Sequence, residues 1–249
     1  MQIAVVSLFP QMIREALNIG VVGRALERGV FRVECFDPRD YTIDPHRTVD
    51  DRPYGGGPGM VMKVEPMRSA VRDARRALPP GSRRVYLGAD GRRFEQSMAR
   101  EACGWPGLVL VAGRYEGVDE RFIEQEVDEQ WSIGDYVLSG GELPALVVID
   151  AIARLMPGTL GSSESALQES FSDGLVDWPH YTRPQTLEGH EVPAVLASGD
   201  HAAIHRWRLQ QALGRTWLRR PELLERRGMS DEERELLEEF KSERARQSL

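Results

Sequence analysis

Short apolar runs alternate with longer, helix-periodic stretches through the first 160 residues. Ile3 to Phe9, Phe31 to Phe36, Arg84 to Leu87 and Leu108 to Ala112 are rich in Val, Ile, Leu and aromatic residues. Each is closed by Gly, Pro or Asp, so each predicts a strand. Between them, Met12 to Arg28, Glu65 to Leu78, Phe94 to Cys103 and Glu120 to Val127 repeat apolar residues at helical spacing and predict amphipathic helices. Such alternation predicts an α/β domain with a mostly parallel sheet, whose ligand site lies at the carboxyl ends of the strands. Leu143 to Leu155 is apolar except for Asp150 and Arg154; its length and alanine content predict a buried helix rather than a strand.

The pattern changes at GSSESALQESFSDG, Gly161 to Gly174, which is rich in Ser and Gly and poor in large apolar residues. It predicts a linker or mobile loop. Helical patterning then runs to the end, and Ser230 followed by Glu233 is a capping box opening a last helix through Leu236, Leu237 and Phe240. The expected organisation is an α/β domain over 1–160, a linker over 161–175 and a small helical domain over 176–249. The first residues, MQIAVVSLFP, lack the basic stretch and cleavage site of a signal peptide. No apolar run reaches the roughly 20 residues that span a bilayer, so a cytoplasmic protein without membrane contact is expected. Cys35 and Cys103 stand outside any CxxC or Cys/His spacing, which predicts reduced, buried thiols and neither a zinc site nor a disulfide framework.

Charge alters this picture in one place. The chain carries a formal net charge of -7 and a pI near 5.4, which argues mildly against nucleic-acid binding. Yet His205 to Arg227 holds Arg206, Arg208, Arg215, Arg219, Arg220, Arg226 and Arg227 against Glu222 and Glu225, with Trp207 and Trp217 interleaved. That composition suits phosphates and base stacking; a solvated arginine face over two core tryptophans is the bland alternative. PHYTRP adds His180, Tyr181 and Arg183, a cluster suited to meeting a target nucleotide.

Four glycine-bearing segments are candidate ligand loops. DRPYGGGPGM, from Asp51, lacks the GK[ST] of a phosphate-cradling loop and is not GxGxxG; a tight structural loop explains it equally well. YLGADG (Tyr86 to Gly91) and AGRYEG (Ala112 to Gly117) directly follow predicted strands, and SIGDYVLSGGE (Ser132 to Glu142) comes soon after. Together they place a small-molecule site at the sheet's ligand-binding edge.

GRYEG-x-DER (Gly113 to Arg121) and DEQWSIGDYVLSGGELP (Asp128 to Pro144) resemble the signature of the bacterial tRNA (guanine-N1)-methyltransferases of the SPOUT superfamily. RTVDDRPYGGGPGMVM (Arg47 to Met62), PHYTRP (Pro179 to Pro184) and RWRLQQALGRTWLRRPELL (Arg206 to Leu224) resemble the same family, so the likeness covers nearly the whole chain. It implies a knotted α/β domain, with a trefoil knot formed by Tyr86 to Gly141 and S-adenosylmethionine bound bent within it. It also implies a homodimer whose active site lies at the subunit interface, and methylation of guanine N1 next to the anticodon, which supports reading-frame maintenance.

By the same resemblance, Tyr86, Leu87, Gly113, Tyr115, Glu116, Gly117, Ile133, Gly134, Asp135, Tyr136, Val137, Leu138, Gly140, Gly141 and Pro144 bind the donor. The family commonly has Ser-Pro-Gln where this chain has Gly88-Ala89-Asp90; backbone contacts survive that change and a side-chain contact does not.

Guanine N1 carries a proton at neutral pH, so methylation requires a general base and a group to stabilise charge on O6. Glu169, in QESF, matches the family's proposed base, usually Asp and one methylene shorter. Arg154, a charge inside apolar sequence, is the candidate for O6 or for orienting the base; a helix-end arginine reaching solvent is the alternative. Magnesium is a candidate further cofactor, with Glu116 and Glu169 as its candidate oxygen ligands. Arg206, Arg208, Arg215, Arg219, Arg220, His180, Tyr181 and Arg183 are the candidate tRNA contacts. A SPOUT enzyme acting on a ribose hydroxyl and a non-catalytic RNA-binding protein are the rival readings.

Overall fold

The structure, a computed structural model, describes residues 1–160 and 170–247. The chain divides into two compact units, Met1–Ser163 and Glu164–Leu249.

The first unit begins with β1 (Gln2–Val6), α1 (Pro10–Leu17), α2 (Gly20–Glu27), β2 (Arg32–Phe36) and a 3-10 turn (Pro38–Tyr41). Two short pairing segments follow, β3 (Asp50–Asp51) and β4 (Val61–Met62), then α3 (Val64–Arg76), β5 (Arg83–Arg93) and α4 (Gln96–Cys103). β6 (Gly107–Ala112), α5 (Glu120–Glu126), β7 (Glu129–Ser132) and α6 (Glu142–Leu155) complete it. β1, β2, β5, β6 and β7 form one sheet in the order β2-β1-β6-β5-β7, and every pairing in it is parallel. The α/β class expected from the alternation is therefore the one observed.

β6 shows why the sheet sits where it does. It pairs on both sides and all of GLVLVA is buried. Alternation sends Leu108 and Leu110 to one face, against Ile13, Val22, Ala99 and Ile149 from α1, α2, α4 and α6. Val109 and Val111 go to the other, against Met67, Ala70, Val71 and Phe122 from α3 and α5. A strand buried on both faces reads as a continuous apolar run because neither side meets water. Cys103 donates to the Ile152 carbonyl at 3.4 Å. Burial raises the thiol pKa of both Cys35 and Cys103, so both are poor nucleophiles and fill space.

The structure departs from the expected elements of this unit in three places. The single helix over Met12 to Arg28 is two, broken at Asn18–Ile19. Gly20 opens α2 at φ +70°, and α2 turns back so tightly that a Cβ on Gly23 would lie 2.5 Å from the Asn18 carbonyl carbon. YLGADG is not a turn after a strand but part of β5: Leu87 and Arg92 both pair with Trp131, so the intervening residues bulge out. β7, Glu129-Gln130-Trp131-Ser132, carries too many polar residues to announce a strand. It forms because β5 offers a parallel edge.

In the second unit, helix does not follow the linker directly. Extended chain, a hairpin of β8 (Thr186–Leu187) with β9 (His190–Glu191), and a 3-10 turn (Ala194–Ala197) come first. Then α7 (His201–Arg219), α8 (Pro221–Arg227) and α9 (Asp231–Gln247) pack around Leu175, Ala212, Leu213, Leu224, Leu236 and Leu237. The capping box is present in both directions: Glu233 N–H donates to Ser230 Oγ at 3.2 Å and Ser230 N–H to Glu233 Oε2 at 2.8 Å. Arg227 bonds the same carboxylate and, with the capping bonds, holds its pKa below the usual range. Among the described residues no helix is long and apolar enough to cross a membrane.

Candidate functional site

A cavity of about 270 Å³ opens at the carboxyl ends of β5, β6 and β7, where a parallel sheet presents its ligands. Its wall is built from three segments: 86–89 on the bulged part of β5, 113–117 after β6, and 131–141 with Pro144 after β7. Of the expected donor residues, Tyr86, Leu87, Gly113, Tyr115, Glu116, Gly117, Ile133, Gly134, Tyr136, Val137, Leu138, Gly140, Gly141 and Pro144 line this cavity. Asp135 is exposed and stands outside the lining.

Close backbone packing sets the composition of the wall. A Cβ on Gly113 would lie 2.6 Å from the Tyr86 hydroxyl, and one on Gly141 2.6 Å from Ala112 Cα. The Gly141 N–H donates to the Gly113 carbonyl at 2.9 Å, which holds the segments after β6 and β7 together. At the altered first loop, Gly88 and Ala89 do face the cavity; a Cβ on Gly88 would lie 2.7 Å from the Tyr86 ring. Tyr86 in this position therefore suits glycine there. Burial, first, and the charges of Asp90 and Glu120 raise the Tyr86 pKa. Its hydroxyl is a neutral wall at physiological pH.

The GGGPG segment, for which sequence allowed either a structural or a ligand role, runs beside this cavity. The Glu116 N–H donates to the Met60 carbonyl at 2.9 Å and the Met62 N–H to the Gly117 carbonyl at 2.9 Å. A Cβ on Gly59 would lie 2.3 Å from a Glu116 carboxylate oxygen, so this loop presses on the one carboxylate that the described residues give the cavity wall.

Sequence reasoning missed a buried polar group behind the wall. Glu142, at the first position of α6, is 1% exposed. It accepts from Ser7 Oγ at 2.8 Å and from Arg114 Nε at 2.9 Å. Arg114 also donates through Nη1 to the Ser139 carbonyl at 3.1 Å and stacks over the Phe9 ring at 4.4 Å. The available signal was an Arg and a Glu, each inside a glycine-bearing segment.

The catalytic candidates are placed differently. Arg154 is in the last turn of α6 and half-buried, not on the cavity wall; about 15 Å of helix separates it from Pro144 at roughly 1.5 Å per residue. Glu169 lies outside the described residues. Among the described residues no three His, Cys, Asp or Glu side chains gather as metal ligands.

In the second unit neither tryptophan of the arginine-rich segment joins the core cluster. Tyr181 and Trp207 have ring centroids 6.4 Å apart, Trp178 and His180 5.7 Å, and Arg208 lies over Trp178 at 5.0 Å. Trp217 is capped by Lys241 at 5.1 Å. The basic patch legible in the chain is partly neutralised in space, because α9 packs its acidic residues along α7 and α8. Arg206 Nη2 donates to both carboxylate oxygens of Glu239 at 2.7 and 2.8 Å and Arg227 pairs with Glu233, while Arg220 pairs with Glu222 of α8 itself. Among the described residues Arg208, Arg215 and Arg219 make no ion pair, and the buried Nε atoms of Arg208 and Arg215 have no hydrogen-bond partner.

The family model described as tRNA (Guanine-1)-methyltransferase TrmD matches residues 1–226. A tRNA (guanine-N(1)-)-methyltransferase of Methylococcus capsulatus is 62% identical over 243 residues, covering 98% of this chain and 97% of that protein. Proteins of the same name from Chromohalobacter salexigens and Proteus mirabilis are each 58% identical; each match covers 98% of this chain, with 94% and 97% of the relatives' lengths. The parallel sheet, the glycine-walled cavity and identity at this level along the full length converge, and the chain belongs to the tRNA (guanine-1)-methyltransferase family.

Proposed function

We propose that the chain transfers a methyl group from S-adenosylmethionine to N1 of the guanine next to the anticodon of tRNA, in the cytoplasm. The single observation that carries this reading is the cavity at the ends of β5, β6 and β7, walled by Gly88, Gly113, Gly117, Gly134, Gly140 and Gly141. Glycines let backbone N–H and C=O groups approach a ligand closely, which suits adenine, while Leu87, Ile133, Leu138 and Pro144 offer apolar contact to the ring. Glu116 offers a carboxylate to the donor's amino group. The residues present therefore fit the donor, which when bound supplies a methyl group already activated as a sulfonium.

The chain's own residues must hold the guanine, take its N1 proton and stabilise O6. Glu169 is the proposed base and Arg154 the proposed partner of O6 or of the base. Since Arg154 is far down α6 from the cavity of its own chain, we assign it to the cavity of a second copy. Exposed Leu143 and Val147 on the same helix support this, standing four residues apart on a face that continues toward Arg154. Membership of the family supports the trefoil knot. Magnesium would use Glu116 and Glu169, the latter outside the described residues, together with substrate oxygens.

The first unit thus takes the donor and the second, beyond the linker, the tRNA. His180, Tyr181 and Arg183 would meet the splayed target nucleotide, with stacking on Tyr181 or Trp207 worth roughly 1–3 kcal/mol per base. Incubation with labelled S-adenosylmethionine and unmodified tRNA transcripts, followed by nuclease digestion and mass spectrometry, should find the label on guanine N1. Label on a ribose, or none, would overturn the reading.

The arginines should separate in a salt titration. An exposed ion pair is worth about 0–1 kcal/mol, so a phosphate can displace it, but only by leaving a carboxylate beside the phosphate. Replacing Arg208, Arg215 or Arg219 by Ala should each flatten the log–log salt dependence of tRNA binding by about one unit. Replacing Arg206 should leave it nearly unchanged. Equal effects across all four would refute this division.

A further inference from the structure

We propose that Arg114 and Glu142 form a positioning pair for the methyl donor. Glu142 does not line the cavity; it acts on it by holding Arg114 and, through Arg114, the segment after β7. The inference rests on the reading that this cavity takes S-adenosylmethionine.

The starting point is an expensive arrangement that stability alone does not explain. Glu142 is 1% exposed. A buried carboxylate is unfavourable unless paired and hydrogen-bonded, and a well-packed apolar pair of similar volume often stabilises a fold as well or better. What an ion pair adds is a defined geometry. Here one planar guanidinium addresses two elements at once: Nε donates to Glu142 Oε2 at 2.9 Å, and Nη1 to the Ser139 carbonyl at 3.1 Å. The other carboxylate oxygen accepts from Ser7 Oγ at 2.8 Å, and Ser7 is tied to the sheet through its N–H on the Phe36 carbonyl at 3.0 Å. The start of α6 adds a positive dipole end that favours the carboxylate.

These bonds link two parts of the wall, 113–117 and 139–141, to the end of β1. The backbone follows the same contact: Arg114 bridges Gly140, and the Gly141 N–H donates to the Gly113 carbonyl. Gly140 leaves room for the pair, since a Cβ there would lie 2.3 Å from Arg114 Nε and 2.6 Å from Glu142 Oε2. Gly113, Gly140 and Gly141 all face the cavity. Losing the pair therefore frees the backbone groups that would contact the donor, while the proposed base and the tRNA-binding unit are untouched.

The test is calorimetric titration of S-adenosylmethionine into the full-length protein, alongside single-turnover methylation at saturating donor. Glu142→Gln, close in shape and without the charge, should weaken donor affinity at least tenfold, roughly. The saturated rate should stay within about threefold and tRNA affinity should not change. A role confined to stability would lower the melting temperature without this split. Arg114→Lys keeps a cation for Glu142 but loses the fork to Ser139; it should show the same split in a protein that folds, even if Glu142→Gln does not. The double variant Arg114→Gln/Glu142→Gln should be no weaker for the donor than the poorer single variant. Donor affinity within about twofold of wild type in folded Arg114→Lys, a lost rate at unchanged affinity, or additive losses would overturn the proposal. A wild-type protein that binds no S-adenosylmethionine would instead overturn the donor reading itself.

Discussion

Replacing Glu169 by Ala is expected to lower the single-turnover methylation rate by roughly 10²–10⁴ while leaving S-adenosylmethionine affinity unchanged. The size follows from the acceptor. Guanine N1 is protonated at neutral pH, so without a base the attacking lone pair is not free, and a positioned carboxylate typically contributes that factor. The separation of effects follows from the two roles: the wall of 86–144 holds the donor, whereas the base acts on the N1 proton of the acceptor. Rapid-quench measurement at saturating donor and tRNA reads the rate; calorimetry reads the affinity. Glu169→Asp should stay active, because it keeps a carboxylate that can take the proton. A rate for Glu169→Ala within a few-fold of wild type would assign the proton to another group.

Gly141→Ala is expected to weaken donor binding at least tenfold, roughly, and to cost about 1–3 kcal/mol of stability through overpacking. Gly141 sits at φ −80° and ψ 0°, which any residue adopts, so the penalty is one of space. The added Cβ would lie 2.6 Å from Ala112 Cα and 3.1 Å from the Gly113 nitrogen, backbone atoms at the end of a strand buried throughout. They cannot swing aside as a side chain can, so the segment carrying Ser139 and Gly140 must move off β6. Thermal melting and donor titration of the same sample check both effects. A variant that melts like wild type and binds the donor normally would show that β6 yields here.

Much of the first unit was legible along the chain. β6 and β1 announce themselves because strands buried on both faces carry uninterrupted apolar residues, and α6 because a long apolar run with alanines suits a covered helix. Elements that depend on a neighbour were not legible. β7 is polar and four residues long, and it is a strand only because β5 pairs with it. The bulge in β5 exists only relative to Trp131, and the break between α1 and α2 depends on how closely Gly23 meets Asn18.

The site divides along the same line. Glycine-bearing segments pointed to a ligand, and their motifs to a family, because glycine spacing is local information. Arg114, Glu142 and Ser7 could not be grouped beforehand, since 135 positions separate Ser7 from Glu142. The same limit misled the reading of charge: seven arginines against two glutamates between His205 and Arg227 looked strongly basic until α9 folded Glu233 and Glu239 against them.

The sequence by itself thus determined the α/β class, the family and the segments that wall the cavity, all properties carried by residues close in the chain. Only the tertiary structure decided that three segments meet in one cavity, that a buried Arg114–Glu142 pair joins two of them, and that Arg206 and Arg227 are neutralised by acids of α9. Burial and pairing are relations between residues distant in sequence, and periodicity along a single chain records one partner of each relation without the other.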